Sequence, residues 1–207
     1  MSLALGTDDP VWYVAYGSNL RAARFGCYLA GGRPDGARRT YVGCRDRTPP
    51  RRDVALRLPG GLRFGGASRV WRGGIAFHHP DGPGELAARA YLVSFGQFSD
   101  VVAQEARRPV GSDLALDQDG RRRWPTPSGI YESVLHVGDL DGLPLLMITS
   151  LQPLTPTAPS TPYLRAIMGG LRETFGWGVD ERVGYLLRAP GVSPAWTAEQ
   201  LAELSPS

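Results

Sequence analysis

Val11-Trp12-Tyr13-Val14-Ala15-Tyr16-Gly17-Ser18-Asn19-Leu20 is the stretch on which the reading of this chain turns. Its first five residues form an apolar run that suits a buried strand, and the abrupt change to Gly-Ser-Asn marks the turn where the chain leaves that strand. Gly17 permits close approach of backbone to a ligand. The consecutive N–H groups of Gly17, Ser18, Asn19 and Leu20 can converge on a carboxylate or a developing oxyanion. The plainer alternative is a polar turn that closes the strand and nothing more.

The 207 residues suit one core: a domain over residues 11–190, a loose leader over 1–10 and a C-terminal extension with a short helix over 191–207. The 27 glycines and 18 prolines are spread between apolar segments, which predicts many turns and short strands. The net charge of +3 comes from short arginine runs interrupted by Asp46, Asp53, Asp113, Asp117 and Asp119. That interleaving describes a solvated surface and argues against nucleic acid as a partner. Cys27 and Cys44 form no CxxC pair and have no histidine cluster nearby, so reduced structural thiols are expected and a zinc site is not. No apolar segment approaches the ~20 residues needed to span a bilayer, and the start lacks a signal pattern, so a soluble cytoplasmic protein is expected.

Along the chain, a helix is expected over Leu20 to Leu29 and strands over Arg39 to Cys44 and Val54 to Leu58, with turns at Gly60-Gly61 and Gly65-Gly66. Gly74 to His78 and Ala88 to Val93 read as a hairpin around Pro80-Asp81-Gly82-Pro83-Gly84. Gly111 to Pro127 reads as a long loop. Tyr131 to Val137 and Leu145 to Thr149 read as a second hairpin. Ser160 or Thr161 is placed to cap a helix that opens with Pro162 and runs to Phe175, followed by a strand over Arg182 to Leu187 and a helix over Thr197 to Leu204. Without a βαβ rhythm, the pattern predicts an α+β fold: a mixed, mostly antiparallel, barrel-like sheet with peripheral helices.

From Phe95 to Arg107 the period changes to three and four, with Ser94 placed to cap the start and Pro109 limiting the end. Phe95, Phe98, Val101, Val102 and Glu105 share one face. A carboxylate on that apolar side acquires a raised pKa through desolvation, as a general base near neutral pH requires; the competing reading is an ion pair with Arg107-Arg108. GxGxxG, GxxxxGK[ST] and HExxH are all absent. His78 and His79 are adjacent, on opposite faces of an extended chain, and read as turn or surface residues. Trp124 reads equally as a ligand contact or as the cover of a core edge.

Val14-Ala15-Tyr16-Gly17-Ser18-Asn19-Leu20 resembles the N-terminal signature of the gamma-glutamylcyclotransferase-like family. Two further anchors follow in order. Ala90-Tyr91-Leu92-Val93 and the helix ending in Gln104-Glu105 resemble the strand and helix that carry the family's catalytic glutamate, and Pro159-Ser160-Thr161-Pro162-Tyr163 with Ile167 and Gly170 resembles its later Pro-Ser-x-x-Tyr segment. The resemblance implies a small barrel-like sheet and a pocket for a glutamyl group built by the loop after the first strand. It places Glu105 as the catalytic base and Tyr16, Gly17, Ser18, Asn19, Leu20 and Tyr163 as substrate-binding residues, with no metal or cofactor. The implied reaction is attack of an α-amine on its own γ-amide carbonyl, giving 5-oxoproline and a free amine. The chain departs from the family after the glutamate, where Ala106-Arg107-Arg108 stands in place of an early glycine, and before it, where residues 101–104 carry no acid.

The partner so implied is a small γ-glutamyl compound; the arginine-rich 111–127 stretch extends this to an anionic, larger or carrier-bound leaving portion. Oligomeric state is left open. Two other functions compete: an amidase or deacylase with Ser18 as nucleophile and His78 or His79 as base, and a metabolite-binding or structural protein without catalysis.

Overall fold

In a computed structural model of the chain, residues 5–34, 39–68, 70–116, 123–126 and 130–205 are described. The elements in order are β1 (Pro10–Ala15), a 3-10 turn (Ser18–Leu20), α1 (Ala22–Ala30), β2 (Arg52–Pro59), β3 (Gly61–Gly65), β4 (Ile75–His79) and β5 (Glu85–Ser94), then α2 (Phe95–Glu105), β6 (Arg123–Pro125), β7 (Ser133–Leu140), β8 (Leu143–Thr149), α3 (Thr161–Phe175), α4 (Val179–Leu187) and α5 (Ala198–Glu203). The main sheet has the order β2-β5-β1-β8-β7-β6, and β3 and β4 pair separately. The sheet curls into a half-barrel flanked by helices, which is the α+β architecture expected.

β1 lies inside the sheet, antiparallel to β5 and parallel to β8. Its strand period divides the core in two: Trp12 and Val14 enter one apolar cluster with β5, α3 and α4, while Val11, Tyr13 and Ala15 enter a second with α1 and α2. An uninterrupted apolar run is therefore what this position demands. Helix α2 starts where predicted, with the Ser94 hydroxyl accepting from Gln97 N–H at 3.1 Å and the Gln97 amide reaching back to Ser94 N–H at 3.0 Å. The leader contributes as well. The carbonyls of Asp9 and Thr7 accept from Phe95 and Gly96 N–H, each at 2.8 Å, occupying donors that a helix start leaves open.

The strands of the first expected hairpin exist but do not pair with each other. β4 returns along β3, and β5 along β2, so the true unit is a two-tier hairpin in which the residues read as glycine turns at 61 and 65 bound strand β3. No strand forms over 39–44: Tyr41 makes an isolated bridge to Gly32, and Cys44 N–H bonds the Leu29 carbonyl, so this segment lies against α1. The strand expected over 182–187 is helical. Val183 and Leu186 are buried together at helical spacing, and the Glu181 carboxylate accepts from Gly178 N–H at 2.9 Å at the helix start. The 111–127 loop contains edge strand β6; its residues 117–122 and 127 lie outside the described residues. The second hairpin forms as β7 and β8. Ser160 sits at the N-cap of α3, but its side chain makes no capping bond. Both cysteines are free, Cys44 buried and Cys27 partly so.

Candidate active site

The turn after β1 is fixed from its outer side. Tyr16 donates to the Ile148 carbonyl at 2.8 Å, and Tyr91 donates to the Asn19 carbonyl at 2.8 Å. Arg89, held by Asp53 and Glu173, reaches the Leu20 carbonyl at 3.2 Å. Leu20 is completely buried in the main core, and its N–H closes the turn on the Gly17 carbonyl at 3.0 Å. The structure thus places Leu20 behind the turn. The N–H groups of Ser18 and Asn19, at the open start of the turn, have no acceptor within it. Gly170 of α3 allows the turn to seat: a Cβ there would lie 2.4 Å from the Leu20 Cβ and 2.7 Å from the Arg21 nitrogen.

Two adjoining cavities open on this turn, of about 380 Å³ and about 30 Å³, sharing Ser18, Glu105, Tyr131 and Tyr163 as walls. The smaller is completed by Tyr13, Tyr16, Gly17 and Asn19 among others. The larger is walled by Arg24, Tyr28, Arg39, Tyr41, Trp71 and Arg107 among others, and its volume suits a small metabolite. The turn after β1, α2 and α3 therefore bring Tyr16, Gly17, Ser18, Asn19, Glu105 and Tyr163 to one place from distant parts of the chain. Tyr163 stacks on Trp71 with ring centres 5.2 Å apart and accepts from Ala76 N–H at 3.3 Å.

Glu105 is the last residue of α2 and half-buried. Burial pushes its carboxyl above the usual range; the Tyr28 hydroxyl, which donates to Oε1, and the charges of Arg24, Arg39 and Arg107 pull the other way without cancelling the rise. It does not form the surface pair with Arg107-Arg108. After Glu105 the backbone reverses through Arg107 at φ +57°, a left-handed conformation in the place where the sequence departs from an early glycine. Burial pushes the Tyr163 hydroxyl up to about 12, so it remains a proton donor at neutral pH.

The arginine at the wall was not singled out by sequence. Arg24 is 5% exposed, its guanidinium lying over the rings of Tyr41, Tyr28 and Trp71 at 4.6, 4.9 and 5.6 Å. Its Nη2 donates to the Tyr41 hydroxyl at 2.7 Å, and the Tyr41 and Tyr28 hydroxyls are 3.2 Å apart. A phenol has one proton to give. With the Tyr28 proton on Glu105, the donors run in order from Arg24 through Tyr41 and Tyr28 to the carboxylate. The available signal was Arg24 and Tyr28 four residues apart on α1, one turn beyond the Gly-Ser-Asn turn.

The histidines lie elsewhere. His78 is buried, not at the surface, with Nε2 3.0 Å from the Pro59 carbonyl, and His79 borders a separate small cavity with Gly61 and Pro83. Neither lines the two cavities at Ser18. Trp124 is buried in the second core. Among the described residues, no three His, Cys, Asp or Glu side chains stand close enough to hold a metal, and no helix is long and apolar enough to cross a membrane.

The curled sheet and its flanking helices have the gamma-glutamylcyclotransferase-like fold. The particular solved proteins it resembles are a structure described as a gamma-glutamyl cyclotransferase, 17% identical with a TM-score of 0.55 over 94% of this chain and 99% of that one, and an uncharacterized protein from Homo sapiens, 17% identical with a TM-score of 0.52 over 94% and 98%. At that identity the likeness is one of fold. In sequence, the chain is 30% identical over 203 residues to histone deacetylase 5 of Arabidopsis thaliana, the match taking in 86% of this chain and 30% of that protein. The chain thus spans less than a third of that relative's length. No family model matches it.

Proposed function

We propose that the protein is a gamma-glutamyl cyclotransferase acting on a small γ-glutamyl compound. The observation that carries this reading is that Glu105 lines the same small cavity as Ser18 and Asn19 of the turn. The α-ammonium of the substrate loses a proton to Glu105, and the free amine attacks the γ-carbonyl. A ring C–N bond forms, Glu105 gives that proton to the amide nitrogen as the amide C–N bond breaks, and the ring nitrogen's second proton passes by the same carboxylate to the departing amine, which leaves as an ammonium. Donors from the turn, the Ser18 and Asn19 N–H groups, and the protonated Tyr163 hydroxyl are available to the tetrahedral oxyanion. The carbonyl oxygen of Asn19, Oδ1, is buried without a partner, and the residue borders the smaller cavity, where an ammonium is the fitting guest.

A Ser18 hydrolase is the weaker reading because the histidine bases it was paired with, His78 and His79, border neither cavity. The test is a mass-spectrometric time course of 5-oxoproline release from a panel of γ-glutamyl amino acids and amines. Release by the wild type supports the proposal; hydrolysis to free glutamate without 5-oxoproline rejects it.

A further inference from the structure

We propose that Arg24 forms an anion subsite in the larger cavity and takes a carboxylate of the bound compound; the identity of that compound rests on the cyclotransferase reading. The chain contains its own comparison. Arg45 is met by Asp100 at 3.0 Å and Asp113 at 2.5 Å, and Arg89 by Asp53 at 2.8 Å and Glu173 at 2.5 Å. Arg24 is more deeply buried than Arg45 yet meets no such carboxylate among the described residues, and its Nε and Nη1 have no hydrogen-bond partner. Its guanidinium is held instead by three aromatic rings and the Tyr41 hydroxyl.

Taking a guanidinium out of water is costly, and ring contacts return only part of that cost. Such a cation is stabilised when a ligand brings the missing anion. A guanidinium carries paired N–H donors that a carboxylate accepts with both oxygens, and the packed rings hold that of Arg24 in place at the cavity wall. The surroundings agree in sign. Arg39 and Arg107 border the same cavity, so among the described residues three guanidiniums stand against the one carboxylate of Glu105. The Glu105 carboxylate accepts from Tyr28 and makes no ion pair with Arg24 among the described residues.

The carboxylate has two possible sources in a γ-glutamyl compound, the glutamyl α-carboxylate and a carboxylate on the leaving amine. Calorimetric titration with glutarate and with glutaramide reads the subsite without turnover. Wild type is expected to bind glutarate at least tenfold more tightly, and R24Q to bind the two within about threefold of each other. In turnover, kcat/KM for γ-glutamylglycine is compared with its C-terminal amide and with its α-carboxamide. The substitution that lowers wild-type kcat/KM about tenfold or more, with the difference removed in R24Q and partly kept in R24K, names the source. A general electrostatic effect of Arg24 on Glu105 would slow all three compounds alike.

Equal binding of glutarate and glutaramide by the wild type overturns the subsite, and this comparison stands even if R24Q fails to fold. A glutarate preference that survives in R24Q overturns it too. Release of 5-oxoproline with no preference for either carboxylate sinks the subsite but leaves the cyclotransferase; an Arg24-dependent glutarate preference without 5-oxoproline from any compound does the reverse.

Discussion

In the proposed reaction Glu105 serves as the base because of what surrounds it. A carboxyl that burial raises is protonated more readily folded than unfolded, so its contribution to stability is present below the unfolded pKa and is lost as pH rises through the folded one. Replacement by Gln removes that loss. E105Q is therefore expected to be as stable as wild type or more so at neutral pH, the two converging in acid, as thermal melts across pH will read; a mutant less stable only at neutral pH would mean that the ionised carboxylate is net stabilising. Tyr28→Phe removes the hydroxyl that favours the charged form. The acid limb of kcat/KM should then move up by about one pH unit, the scale of a hydrogen bond to a charged group. An unmoved limb would detach Tyr28 from the base. Sequence exposed Glu105 because it stands on an otherwise apolar face, but it did not expose Arg24, whose partners Tyr41 and Trp71 come from segments outside helices and strands.

At the level of elements, the site depends on α3 meeting the 3-10 turn at a distance only glycine allows. Gly170→Ala would drive a methyl into the Leu20 Cβ and the Arg21 backbone. A loss of about 1–3 kcal/mol in urea denaturation is expected, with turnover reduced about tenfold or more as the turn shifts from Glu105. Wild-type stability and turnover in G170A would show that the contact does not set the turn. Elements with strong local signals were legible in sequence: β1 from its apolar run, α2 from its Ser94 cap, and α3 from Pro162. Pairings set by distant partners were not. Nothing local in Gly74 to His78 says that it joins residues 61–65 rather than the next strand, and the alternation of Val183, Tyr185 and Leu187 conceals that Val183 and Leu186 share a helix face.

Across the whole molecule, the central sheet separates two cores, and the last described residues help to close the larger one. Val192 and Leu201 are fully buried in it, Leu204 nearly so, and Trp196 Nε1 donates to the Pro159 carbonyl at 3.0 Å beside the start of α3. Each such aliphatic side chain is worth about 1.5–3 kcal/mol when buried. A chain ending at Pro190 should therefore lose several kcal/mol, a large part of an ordinary domain's stability, visible as a lowered urea midpoint. An unchanged midpoint would make residues 191–207 an appendage, as their sequence suggested. The fold class was legible from the rhythm of short strands, because that reading needs element types and order but not partners.

In the proposed reaction Glu105 moves the proton of an intramolecular cyclisation. The measurement that tests it most directly is 5-oxoproline release by wild type and E105Q under the same conditions, on a γ-glutamyl compound that the wild type turns over. Since Gln keeps the shape and removes the base, release should fall by about 10²–10⁴-fold while the mutant stays folded. A folded E105Q that releases 5-oxoproline at the wild-type rate would contradict the account.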